Sequence, residues 1–228
     1  MSPPSKPAAA SETRARARRA VTDSEKHERR QAILAAAEAQ LRRVGFEAFS
    51  MEVLAKEVGV ARGTLYRYFA TREDVLLSLY LEQRERFAQA LTAAVQPGME
   101  DDAFIRNWYD HATSDALFLK LQARLGSVIE QNITTETLVA AKLEMQRTIE
   151  EVATHLAHCL ALEVPTARRL IVALATLILG AAEIDASPPL DSLPAALRST
   201  AELFSSETVF TENARLILRG LRSSEPDA

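Results

Sequence analysis

The chain has 228 residues, 47% of them hydrophobic and 25% charged, a globular composition that excludes the fibrous and wholly disordered classes. A single cysteine, Cys159, excludes a disulfide framework and a four-cysteine zinc site, and seven glycines beside abundant Ala, Leu, Glu and Arg favour an all-α protein. The net charge of −4 is uneven: residues 1–72 hold 14 Lys or Arg against 8 Asp or Glu, and residues 73–228 hold 13 against 23, which points the first third at a polyanion.

Residues 1–27 are expected to form a disordered basic arm, because Pro3, Pro4 and Pro7 are followed by Arg14, Arg16, Arg18 and Arg19 without apolar periodicity. Such an arm could track phosphates or enter a minor groove, or it could stay solvated. Helical spacing begins near Glu28, with Ile33, Leu34, Ala37, Leu41 and Val44 on one stripe and Gly45 placed to end the helix in the left-handed conformation. Ser50 is positioned to cap a short second helix whose Met51, Leu54 and Val58 face inward before Gly59 stops it. Val60 to Phe69 forms a third short helix, with Leu65 and Phe69 toward the core. Thr71 and Asp74 make a variant capping box that opens a long fourth helix through Val75, Leu76, Leu79, Tyr80, Phe87 and Leu91, closed by Pro97 and Gly98. Further helices are expected over residues 101–113, 115–131, 136–162 and 166–185. A proline-containing connection, 187–194, then precedes two last stretches, 195–204 and 208–221.

The N-terminal residues carry no apolar stretch of the kind a signal peptide needs, and the run Leu170 to Ala182 falls short of the ~20 residues that cross a bilayer. A cytoplasmic protein without a membrane span is the expectation.

Two short helices joined by a tight glycine-containing turn, Ser50 to Phe69, match a helix-turn-helix, in which the second helix enters the major groove while the first crosses the backbone. A generic helical hairpin has the same spacing, so the residues must decide. The segments Gly45-Phe46, Ser50-Met51-Glu52-Val53-Leu54-Ala55, Gly59-Val60-Ala61-Arg62-Gly63-Thr64-Leu65-Tyr66-Arg67-Tyr68-Phe69 and Thr71-Arg72-Glu73-Asp74-Val75-Leu76 resemble the TetR family of transcriptional regulators in dense, in-register fashion. This resemblance implies an N-terminal three-helix helix-turn-helix domain, residues 28–72, and a larger C-terminal helical domain, residues 73–228, that binds a small-molecule effector and dimerises. The implied function is a sequence-specific DNA-binding regulator, a repressor released from a palindromic double-stranded operator by an inducer. The competing class is a helical ligand carrier or docking module that binds no DNA.

Position by position, the resemblance lays Ser50 and Met51 on the DNA backbone, turns Arg62, Gly63, Thr64, Tyr66 and Arg67 to the groove, and sets Tyr68 and Arg72 against phosphate. The chemistry agrees: an arginine fork matches guanine O6 and N7, while hydroxyls and helix N-termini take phosphate without reading sequence. Ala61 departs from the family pattern, where a serine is common. The bland readings are rim packing for Tyr66 and Tyr68 and a solvated basic face for the arginines.

Residues 170–184 are apolar on every helical face and so require a second covered face. With the last stripe, Phe210, Ala214, Ile217, Leu218 and Leu221, this resembles the family's intersubunit four-helix bundle; a core helix wrapped by its own chain is the alternative. Trp108 and His111, with Phe118, Leu121 and Met145 as apolar lining, are the candidates for an effector pocket, against plain core packing. Arg124 could meet an anionic effector or a neighbouring Glu, and Asn132 reads as a helix terminator. His155, His158, Cys159 and Glu151 could be drawn as metal ligands. The helical wheel sets Glu151, His155 and His158 opposite the inward stripe Leu138, Met145, Ile149, Val152 and Leu156, so no metal and no cofactor are expected. No phosphate loop, nucleophile elbow or nucleophile–base set supports catalysis.

Overall fold

The computed structural model describes residues 8–185 and 205–223, and every regular element among them is helical. The expected connection 187–194 and the helix 195–204 lie outside the described residues. The chain forms two compact units, Met1–Val75 and Leu76–Ala228.

In the first unit, α1 spans Ala8–Val44, α2 Met51–Val58 and α3 Arg62–Tyr68. The expected disorder of residues 1–27 is corrected from Ala8 onward, where α1 already begins. After Pro7 the chain contains neither proline nor glycine until Gly45, and over residues 8–27 Ala, Arg and Glu carry the helix without an apolar stripe. Ile33, Leu34, Ala37 and Leu41 are buried as the spacing requires, whereas Val44, at the helix end, is 39% exposed. Gly45 and Gly59 adopt φ of 75° and 71°, the left-handed region in which a side chain would be strained. Behind Gly59 the Val60 N–H donates to the Ala55 carbonyl and the Gly59 N–H to that of Lys56, a Schellman ending that turns the chain sharply into α3. The unit's core is Leu34, Leu54, Leu65 and Phe69, all almost fully buried. Val58, expected inside, is only half-buried, and Ala55 takes its place.

Helix α4, Arg72–Ala94, opens on the anticipated box: the Thr71 N–H donates to Asp74 Oδ2 at 2.9 Å and the Asp74 N–H to Thr71 Oγ1 at 3.0 Å. Replacing Thr71 by Ala is expected to cost about 1 kcal/mol and to lower the thermal midpoint by roughly 2–4 °C in a calorimetric scan.

The second unit continues with α5 Asp101–Thr113, α6 Ala116–Arg124, α7 Thr135–Leu160, α8 Val164–Asp185 and α9 Ser206–Arg222. The expected single helix over 115–131 is instead broken: α6 passes into a π turn, Leu125–Ile129, and a 3-10 turn, Glu130–Asn132. One extra residue in the π turn moves the buried position on from Val128, which is 40% exposed, to Ile129, which is fully buried. Asn132 closes the segment by donating to the Val128 carbonyl at 2.7 Å.

Helix α8 packs against both α7 and α9, and α9 also meets α5, where Tyr109 Oη and Ser206 Oγ lie 2.6 Å apart and Arg215 pairs with Asp102. The buried side of α8 is Ala167, Leu170, Ile171, Leu174, Ile178 and Ala181. Its other side mixes apolar and polar groups: Leu177 is half-buried and Val172 is 56% exposed beside exposed Arg168, Arg169, Thr176 and Glu183, and Leu216 of α9 is 64% exposed. Gly180 in α8 and Gly220 in α9 have φ outside the left-handed region and open space where a Cβ would stand.

His155 departs from the exposed flank expected of it. Its Nε2 lies 2.9 Å from the Val95 carbonyl, which also accepts from the Cys159 thiol at 3.6 Å. His158 and Glu151 are exposed, and Glu151 pairs with Arg147 one turn away. Among the described residues no three His, Cys, Asp or Glu side chains cluster as metal ligands, and no helix is long and apolar enough to cross a membrane.

Candidate DNA interface and ligand pocket

Leu65, fully buried, and Phe69, at the end of α3, hold that helix against α2, and the Arg30 guanidinium of α1 covers the Phe69 ring at 4.9 Å. Its other side is thereby turned outward: Arg62, Gly63, Tyr66 and Arg67 are exposed, and Thr64 and Tyr68 are half-buried. The Arg62 guanidinium lies 5.5 Å from the centre of the Tyr66 ring, so the two side chains stiffen one another at the surface. The Tyr66 hydroxyl also holds the Arg62 guanidinium above its ordinary value, and Glu52 adds a smaller pull. No atom stands within 4 Å of a Cβ built on Gly63, leaving room for close approach of a ligand backbone. The N-cap Ala61 has no side-chain oxygen to cap the helix.

Three sequence candidates in this unit sit differently from expectation. Ser50 occupies the N-cap of α2, but its side chain makes no capping bond; its carbonyl accepts from the Leu54 N–H and from Gln40 Nε2. The Met51 side chain is buried at 7% exposure and packs inward instead of lying on a DNA backbone. Arg72 is spent within the unit: Nη2 donates to the Phe46 carbonyl and the guanidinium covers the Phe49 ring at 5.8 Å.

The second unit contains a cavity of about 250 Å³ between α4, α5, α6, α7 and α8. Its aromatic wall is built by Phe87, whose ring meets Trp108 edge-on at 5.3 Å and stacks on Phe118 at 5.5 Å, while Tyr80 stacks on Phe118 at 6.2 Å. Met145 and Val152 of α7 and Ile171, Ala175 and Leu179 of α8 complete the apolar lining. Of the five candidate pocket residues, the fold thus brings Trp108, Phe118 and Met145 together. His111 is half-buried and Leu121 fully buried, and neither lines the cavity, because they project from other sides of α5 and α6.

Most polar groups at the cavity find partners in the chain: Gln122 Nε2 donates to the Ala175 carbonyl, Thr176 to that of Val172 and Thr148 to that of Glu144. The Trp108 indole N–H is buried without one. Arg84 projects into the lining from α4 and donates from Nη2 to the Met145 carbonyl at 2.9 Å. Burial draws its guanidinium below the ordinary arginine value, against smaller opposing pulls from Tyr80, Glu85 and Glu144, and pushes the Tyr80 hydroxyl up.

The family model for tetracycline repressor-like C-terminal domains matches residues 81–225, and the model for bacterial regulatory proteins of the tetR family matches residues 33–79. The chain belongs to the TetR family. It is a TetR family transcriptional regulator with a helix-turn-helix followed by a C-terminal helical domain. Solved structures with this fold include the multidrug binding protein EbrR in complex with imidazole. That match has 22% identity and a TM-score of 0.57, and covers 88% of this chain and 96% of the other. A TetR regulator from Streptomyces coelicolor, SCO7222, aligns with 17% identity and a TM-score of 0.57 over 86% and 99% of the two chains. A fatty acid metabolism regulator protein of Bacillus subtilis is 38% identical over 47 residues, which are 21% of this chain and 24% of that relative. The chain therefore spans about a quarter of that relative.

Within this TetR family chain, Tyr80, Arg84 and Phe87 of α4 line the cavity without having been among its candidates, and Arg84 is the charged one. Its signal was present: Tyr80, Arg84 and Phe87 fall at i, i+4 and i+7 of an inward stripe, where a cation is out of place unless something pairs with it.

Proposed function

We propose that the chain is a homodimeric repressor that leaves a palindromic operator when a small molecule fills the cavity lined by Tyr80, Trp108 and Phe118. The observation that carries this reading is the outward face of α3, where Arg62, Gly63, Tyr66 and Arg67 stand exposed on a helix anchored by buried Leu65 and Phe69. Arg62 and Arg67 read base edges, Thr64 and Tyr66 add groove contacts, and Tyr68 with the backbone N–H groups at Ser50 and Met51 holds phosphate. Arg72 is assigned to packing beneath them. Residues 28–72 then form the DNA-binding domain and residues 73–228 the effector-binding and dimerisation domain. Val172 of α8 and Leu216 of α9, both left exposed, with half-buried Leu177 support pairing with a second copy, and a pair is what reads two half-sites one DNA turn, ~34–36 Å, apart.

The boundary between the two units falls inside α4, which also supplies Tyr80, Arg84 and Phe87 to the cavity. An effector that favours the DNA-incompetent state by about 1–3 kcal/mol weakens operator affinity about 5- to 150-fold, and DNA weakens the effector by the same factor. The test is fluorescence anisotropy with duplexes tiling the DNA beside the chain's own gene, at two salt concentrations, against a scrambled duplex. Selective binding that weakens steeply with salt is expected; equal weak binding to every duplex overturns the proposal.

A further inference from the structure

Arg84 is the one charged side chain among the described residues that line the cavity. A guanidinium offers five N–H donors, and here one of them is committed, to the Met145 carbonyl at 2.9 Å. Glu85 and Glu144 lie near enough to favour its charge, yet neither forms an ion pair with it and neither lines the cavity. The cation is therefore half-buried against aromatic and aliphatic walls with most of its hydrogen-bonding capacity unspent.

An apolar cavity with a single unpaired cation discriminates by charge. A cationic guest meets repulsion in a low-dielectric surround, and an uncharged guest returns at most a neutral hydrogen bond for the water it strips from the guanidinium. An anion both neutralises the guanidinium and accepts a forked, charge-assisted pair of hydrogen bonds.

We propose that the effector is an apolar monoanion whose carboxylate pairs with Arg84 while its hydrocarbon body lies against Trp108, Phe118 and Met145. The inference rests on the cavity being the effector site. It assigns to Arg84 a role in specificity in addition to its tie between α4 and α7.

The experiment is calorimetric titration of the full chain at neutral pH with matched pairs that differ in charge alone: octanoate and octanamide, then 2-naphthoate and 2-naphthamide, with octylammonium as the cationic arm. Octanoate and 2-naphthoate are expected to bind at least tenfold more tightly than their amides, and octylammonium most weakly. Arg84→Gln retains a donor for the Met145 carbonyl and is expected to bring each acid-to-amide ratio close to one, while Arg84→Lys keeps a preference for the acid. Quenching of the chain's single tryptophan, Trp108, by octanoate is the accompanying site-specific signal. An amide that binds as tightly as its acid, or an acid preference that survives Arg84→Gln, overturns the inference and leaves the effector cavity standing. Absence of binding by both acids and amides overturns it as well. Anisotropy on the same preparation then shows whether operator recognition, and with it the regulator reading, stands independently.

Discussion

Arg62→Glu together with Arg67→Glu is expected to abolish selective operator binding while leaving the fold intact. Both side chains are exposed on α3, and neither supports the core formed by Leu54, Leu65 and Phe69, so the thermal midpoint should not move. Losing one arginine contact to a base edge costs about 1–3 kcal/mol, and reversing its charge adds repulsion from the phosphates. Two such changes amount to a loss of a hundredfold or more in operator affinity. The residual binding should be equal on the operator and on a scrambled duplex, because the contacts removed are those to base edges. Anisotropy on the operator and a scrambled duplex at two salt concentrations reads both effects. Retained selectivity in the double variant would remove α3 from the interface.

Leu177→Glu with Leu216→Glu addresses the other surface and is expected to convert the proposed dimer into monomers. In a twofold interface each residue occurs twice, so a leucine worth about 1.5–3 kcal/mol of burial contributes about twice that to association. Placing carboxylates there raises the dimer dissociation constant by more than a hundredfold, which sedimentation equilibrium measures directly. Operator affinity should fall in parallel, because each monomer then holds a single half-site. A double variant that sediments as the parent does would return α8 to the reading of a helix covered by its own chain.

The parts of the fold that were legible from the residues are those where local chemistry and tertiary demand coincide. Gly45 and Gly59 mark left-handed turns that few other residues tolerate, Thr71 and Asp74 satisfy each other across one turn, and Leu65 and Phe69 share a stripe that must face inward. The misreadings arose where that coincidence fails. Residues from Ala8 to His27 have helical propensity without apolar periodicity, so a search for stripes sees nothing there. The π turn at Leu125–Ile129 breaks the period of 3.6, so a stripe carried through 115–131 at that spacing does not reach the buried Ile129. At the candidate interface the exposed set Arg62, Gly63, Tyr66 and Arg67 follows from the wheel, but the capture of Arg72 by the Phe46 carbonyl and Phe49 ring is a tertiary event across more than twenty residues. His111 fell outside the cavity for a related reason: a helical face is broad, and only packing decides which of its edges borders a void.

Gly180 and Gly220 interrupt two helices at positions that demand neither a left-handed backbone nor a missing side chain within the chain itself. Each costs about 1 kcal/mol of helix stability relative to alanine, so an isolated subunit is less stable than its own architecture would permit. If partner helices close on these points in the proposed pair, folding and association become coupled equilibria, and dilution erodes both together. The number of copies present then governs more than the fraction of operator occupied: it also governs how much of the chain survives as folded protein.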